Sequence, residues 1–236
     1  GYRLKRGPDW ESATLLTEQA ATGFNAGLLV PGAYRFIARA LDWSGNESAH
    51  DATVNITLVA HAAPAITATV VGANLQLSWT EPVSSYAFPV AGYEIRHGDS
   101  WAAGVPLPRI AGRSHLLAVS WSGARRFWVA AIDTAGNYGA ASMAEINITP
   151  PARPDVQAEV IDNNVLLRWS DATAALPLEH YQVRRGATWA GSQLLGTLSG
   201  RFSTYFETAS GAFRYWVAGV DSAGNIGEPG SVAVTV

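Results

Sequence analysis

A 45-residue block occurs three times in this 236-residue chain without insertion or deletion between copies. It starts at Tyr2, Tyr93 and Tyr181. Each Tyr is followed at fixed distance by Gly (Gly7, Gly98, Gly186) and Trp (Trp10, Trp101, Trp189). Each block ends on Asp-x-x-Gly-Asn, at Asp42, Asp133 and Asp221. The starts lie 91 and 88 residues apart. A period of that size fits tandem domains, each with its own core, better than the shorter repeats of a solenoid. It also directs attention to mechanical or adhesive roles before catalytic ones.

Composition narrows the class further. With 48% hydrophobic and 15% charged residues the chain is globular rather than disordered. A net charge of −3 supplies no basic field for nucleic acid or anionic lipid. The absence of cysteine excludes disulfide staples and thiolate metal sites. No apolar run approaches the roughly 20 residues that span a bilayer as a helix. The five histidines, His50, His61, His97, His115 and His180, show no metal-ligand spacing. No nucleophile elbow or phosphate-binding loop occurs, so an enzyme is not expected and no cofactor is implied.

The local pattern is that of strands. Ile66–Val71 and Leu75–Trp79 alternate about a Gly-Ala-Asn turn, and Val156–Val160 and Val165–Trp169 alternate about Asp-Asn-Asn. Both read as β-hairpins, with Leu75, Leu77 and Trp79 on one face and Val165, Leu167 and Trp169 likewise. The Tyr of each block begins a further strand. Another runs through Phe36, Phe127 or Tyr215 into the Asp-x-x-Gly-Asn turn, and a last one closes each copy (Val54–Leu58, Ala144–Ile148, Val232–Val236). About seven short strands per complete copy, without helical periodicity, predict an all-β fold of tandem immunoglobulin-like β-sandwiches. The expected boundaries are a partial domain over 1–60 that lacks its opening strands, and complete domains over 61–150 and 151–236. On this reading the chain is a piece of a longer protein. The proline-rich joints His61–Pro64 and Thr149–Pro154 read as semi-rigid spacers.

Trp79 and Trp169, Tyr93 and Tyr181, and the aromatic strand ending in Asp-x-x-Gly-Asn resemble fibronectin type III domains. The resemblance covers nearly the whole chain. Within that family, Y-x-[LIV]-[KR]-x-G-x-x-W followed by A-x-D-x-x-G-N is similar to repeats in the tail-tip, host-specificity proteins of long-tailed bacteriophages. Arg125 departs from the pattern, standing where Tyr34 and Phe213 place the aromatic of the family's tyrosine corner. The resemblance implies a non-enzymatic spacer of a virion tail tip or central fibre. Its partners would be tail-tip and baseplate proteins and a host-surface glycan or receptor, with homotrimerisation through the parent protein. Neither nucleic acid nor membrane insertion is implied. The alternative is a fibronectin type III spacer or carbohydrate-contacting module of a secreted bacterial hydrolase or adhesin.

Ten columns of the block are identical in all copies, among them Arg35, Arg126 and Arg214. Strand alternation puts these arginines outward, with Ile37, Trp128 and Trp216 two residues on and Lys5, Arg96 and Arg184 on the neighbouring strand. One reading is a cation–π layer that covers and stiffens the outer sheet. The other is a platform for sugar rings or lipopolysaccharide phosphates, since aromatic faces stack on sugars and Arg forks bind phosphate. Trp43 has no aromatic counterpart in the other copies and is the candidate for a domain or partner contact. The three Asp residues read as turn caps rather than calcium ligands, because each turn offers too few oxygens.

Overall fold

The computed structural model describes residues 1–84 and 87–236, and all regular structure among them is β. The first copy forms one antiparallel sheet from β1 (Tyr2–Arg6), β2 (Thr14–Gln19), β3 (Gly32–Ala40) and β4 (Ala52–Leu58), in the order β2-β1-β3-β4.

The second copy contributes β5 (Ile66–Val71), β6 (Asn74–Trp79), β7 (Val90–His97), β8 (Val105–Pro106), β9 (Ser114–Ala118), β10 (Gly123–Asp133) and β11 (Ser142–Ile148). They form sheets β5-β6-β9 and β11-β10-β7-β8. The third copy repeats this arrangement with β12 (Val156–Ile161), β13 (Asn164–Trp169), β14 (Leu178–Arg185), β15 (Gln193–Leu198), β16 (Phe202–Phe206), β17 (Ala212–Asp221) and β18 (Gly230–Thr235). Its sheets are β12-β13-β16 and β15-β14-β17-β18. The three-plus-four strand order is fibronectin type III-like, and the fold class is the tandem all-β sandwich expected from the strand pattern.

The chain divides into two compact units. One comprises Gly1–Ile66, Trp79–Arg113 and Phe127–Met143; the other comprises Thr67–Ser78, Ser114–Arg126 and Ala144–Val236. In the first, Tyr93 and Ile95 of β7 and Phe127, Val129 and Ala131 of β10 are buried. The Trp79 ring meets Tyr93 edge-on, with centroids 5.5 Å apart. In the second, both layers of the third copy close on one core of Val156, Val165, Leu167, Trp169, Tyr181, Val183, Tyr215 and Val217. Trp169 meets Tyr181 edge-on, and Tyr205 of one sheet stacks on Tyr215 of the other at 5.9 Å.

Both hairpins form, each about a two-residue turn whose first residue has positive φ: Gly72 (58°) and Asp162 (53°). Alternation holds along β6 and β13, where Leu75, Leu77, Trp79 and Val165, Leu167, Trp169 are all buried. It fails at the ends of β10 and β17. There Ala130 and Ile132, and Ala218 and Val220, are buried along with their neighbours, so both faces of these strands are covered.

Two kinds of strand are absent from the sequence expectations. The edge strands β2, β8 and β15 are short or irregular: β1–β2 and β14–β15 each contain a register shift, and β8 has only two residues. A register shift moves side chains to the other face and erases the period-2 signal. Strands β9 and β16 pair with β6 and β13 of the opening hairpins. The matching stretch of the first copy, residues 23–27, is not a strand. The hairpin that would pair with it does not occur in the described chain, and a strand without a ladder leaves its backbone groups unpaired.

Candidate functional site

The outer face of the four-stranded sheets is built the same way in every copy. The Gly five residues after the opening Tyr begins a tight turn. A Cβ on Gly7 would lie 2.6 Å from Ala13 Cα, and one on Gly186 would lie 2.8 Å from Ser192 Cα. That close approach folds the following Trp back onto the sheet. Trp10 is almost fully buried, with Lys5 Nζ and the Arg39 guanidinium each 4.4 Å from its ring centroid. Arg96 lies 4.3 Å over Trp101 and Arg184 lies 4.7 Å over Trp189. In the first two copies the cation also donates to the backbone carbonyl of the same Trp, 2.9 Å away.

This lid explains Ile37. Alternation directs it away from the core, and exposure would follow, yet it is completely buried. Its cross-strand partner Lys5, and Arg39 two residues along, both stack on Trp10, so the indole covers the residue between them. Alternation assigns a face but not what lies on it.

Trp128 and Trp216 occupy the position of Ile37 and are half-buried. Their indole N–H groups donate to the carbonyls of Gly98 (2.8 Å) and Gly186 (2.9 Å). Arg35, Arg126 and Arg214 are exposed on the same strands. The Arg214 guanidinium lies 5.6 Å from the Trp216 ring centroid. Arg126 pairs with Glu145 at 2.7 Å. The lid tryptophans Trp10, Trp101 and Trp189 take their stacking cations from β1, β7 and β14, joined in the first copy by Arg39 of β3.

Next to the lid lies a polar cluster whose charges are reversed between copies. In the first, Arg3 pairs with Glu18 (2.8 Å) and Glu47, and Arg39 joins Glu47 (3.0 Å) to Asp51 (2.6 Å). At equivalent block positions in the second, Glu94 replaces Arg3, Arg109 replaces Glu18 and Tyr138 replaces Glu47. Glu94 accepts from Arg96, from Arg109 (3.1 Å) and from the Tyr138 hydroxyl (2.6 Å). Burial alone would raise the Glu94 carboxyl; the bonds from Tyr138, Arg96 and Arg109 hold it below the ordinary value instead. In the third copy the positions are Gln182, Thr197 and Ile226, without charge.

The Asp-x-x-Gly-Asn turns serve the backbone. Asp42 Oδ1 accepts from the amides of Ser44 and Asn46, and its Oδ2 accepts from Asn46 Nδ2. Asp133 and Asp221 make the same bonds. The Asn46 bonds lower the Asp42 pKa. Among the described residues no cluster of three or more His, Asp or Glu is placed to hold a metal ion. Trp43, at the tip of the first turn, is fully exposed. Its counterparts Thr134 and Ser222 are exposed as well.

The tyrosine-corner position is filled in two ways. The Tyr34 hydroxyl donates to the Val30 carbonyl four residues upstream, at 2.7 Å. Arg125 instead lays its guanidinium on the Trp121 ring, 4.3 Å away and also four residues upstream. The loop is pinned in both copies by different chemistry. In the third copy Phe213 cannot donate, and a buried group absent from the other copies appears. Glu207 accepts from Tyr215 and Arg185, and its backbone exchanges bonds with Asn163. Its side chain stands where Val119 is buried in the second copy.

These features define a class: tandem fibronectin type III-like modules whose outer sheets carry a Trp–cation lid and whose turns are capped by their own Asp. No protein-family model matches the chain. It is similar to Exoglucanase B of Cellulomonas fimi, 30% identical over 253 aligned residues that cover 96% of this chain and 22% of that protein. The chain therefore spans a minor part of that relative's length. Among solved structures, a two-domain fibronectin type III segment of chicken tenascin aligns over 73% of this chain and 99% of its own, at 13% identity and a TM-score of 0.38. The FN1–FN3 domains of chicken CNTN1 align over 100% of this chain and 88% of their own, at 15% identity and a TM-score of 0.33.

Proposed function

We propose that this chain is a run of non-catalytic fibronectin type III-like spacer modules in a secreted bacterial carbohydrate-degrading protein. The observation that carries the reading is the likeness to Exoglucanase B, which extends along 96% of the chain. It favours the hydrolase alternative over the phage tail tip, whose support is the Tyr-to-Trp and Asp-x-x-Gly-Asn motif resemblance alone. The architecture suits a spacer: on the outer face Trp10, Trp101 and Trp189 are each stacked by Lys5, Arg96 or Arg184, as a stiffening layer requires. Trp43 is the exception, a full indole presented on a capped turn, and we assign it as the contact to a polysaccharide surface.

Sequencing the parent reading frame tests the proposal. A glycoside hydrolase region in the same frame supports it; a baseplate-hub region would replace it with the tail-tip reading. The purified chain should release no reducing sugar from cellulose or soluble β-glucan. Hydrolysis by the chain alone would contradict the spacer role.

A further inference from the structure

The Asp-x-x-Gly-Asn turn does more than reverse the chain. Asn137, in the turn after β10, sends its side-chain N–H to two acceptors: Asp133 of its own turn at 2.9 Å and the carbonyl of Leu29, in the loop before β3 of the preceding copy, at 3.1 Å. Asn225 does the same one copy later. It donates to Asp221 at 3.0 Å and to the carbonyl of Trp121, in the loop before β10, at 3.2 Å. An amide nitrogen carries two hydrogens, so both bonds are made at once. Each acceptor loop is held in advance, one by the Tyr34–Val30 bond and the other by Arg125 on Trp121.

The connecting segment is fixed to the following copy beside this contact. His61 Nε2 donates to the Phe88 carbonyl at 2.8 Å, and the His61 carbonyl accepts from Ala140 at 2.9 Å. A Cβ on Gly139 would lie 2.8 Å from that carbonyl oxygen. At the second joint Ala152 donates to Thr173 at 2.7 Å, and Pro151 leaves no room for a Cβ on Gly227. The linker thus belongs to the copy it enters, and the Asn beside it reaches back to the copy it leaves.

We propose that this Asn is an inter-copy clasp: the turn of each following module binds the loop of the module before it and sets the angle of the joint. The partner surface is the carbonyl row of that loop. Asn46 supplies an internal control, since its side-chain N–H has only the Asp42 bond recorded. The inference stands whichever parent protein carries the chain.

The chain has no cysteine, so nitroxide labels can be placed at will. Labels at exposed Ala20 and Ala102 report the first joint by pulsed electron–electron distance measurement on the full chain. The parent and Asn46→Ala should give one narrow distance. Asn137→Ala should broaden it, with a roughly fivefold shift towards open joints, the worth of one hydrogen bond. Asn137→Ser, which keeps the backbone amide bond to Asp133 but whose shorter side chain places no N–H at Leu29, should broaden it equally and covers the case in which the alanine variant unfolds. Distributions for Asn137→Ser as narrow as the parent's would overturn the clasp.

Discussion

The first and third copies share the block's four-stranded sheet and differ in what lies on its inner face. In the third, Val232 and Val234 of β18 pack against a core closed by β12, β13 and β16. In the first, the matching Val54 and Ile56 of β4 are 52% and 40% exposed. They line an open apolar groove with Tyr2, Leu4, Phe24 and Phe36. The block therefore encodes a sheet, its outer lid and its turns. The hairpin ahead of the block supplies the second layer, and with it the partner that turns residues such as 202–206 into a strand. Among the described residues nothing covers the inner face of the first copy, so these residues by themselves forgo much of the burial that offsets chain entropy.

The contrast should be largest in isolated fragments. Residues 151–236 alone should unfold in one cooperative transition followed by circular dichroism, whereas residues 1–60 alone should show none. A sharp transition in the shorter fragment would remove the distinction.

The third copy can then be weakened at Glu207, a buried carboxylate at the position that Val119 fills in the second copy. Glu207→Ala leaves the Tyr215 hydroxyl without its acceptor and Arg185, which keeps partial access to water, without its partner, and urea unfolding should show a loss of about 1–3 kcal/mol. The Glu207 carboxyl is pushed up by burial but held below its ordinary value of 4.5 by Tyr215 and Arg185. Its depressed folded pKa means that its contribution is present above about pH 4.5 and is lost as pH falls through the folded value. Glu207→Gln should flatten that acid dependence, and an unchanged acid limb would deny the carboxylate its role.

Smaller effects sharpen what the copies share. Trp101→Ala should cost about 2–4 kcal/mol through lost burial and the Arg96 stack, measured by thermal unfolding of the full chain. The reversed charges predict a coupling of about 1 kcal/mol between Glu94 and Arg109 in a double-mutant cycle. Exchanging the two residues should recover most of what either single reversal loses.

Much of this was legible in the residues. Alternation located β6, β13 and their partners, and the fixed Gly-to-Trp spacing marked a turn. The lid was legible in part: the outward cations Lys5, Arg96 and Arg184 pointed to a covering cation–π layer, which forms over Trp10, Trp101 and Trp189, but period-2 reasoning says only which way Ile37 points and nothing of the indole that folds back over it. Glu207 reads as one more surface carboxylate until Tyr215 and Arg185 are seen to converge on it. Asn137 reads as a turn former; its second hydrogen reaches a carbonyl 108 residues away, a separation that no local pattern carries. Of the candidate contact residues, Trp43 keeps the exposure that a contact needs, while Trp128 and Trp216 have their N–H groups spent on backbone carbonyls.

Amide hydrogen exchange on the intact chain tests the central contrast most directly, because β3 and β17 are the same central strand with and without a second layer. The amides of Phe36 and Ala38 should exchange at least about tenfold faster than those of Tyr215 and Val217. Equal protection in the two strands would contradict the claim that the opening hairpin, rather than the repeated block, makes the core.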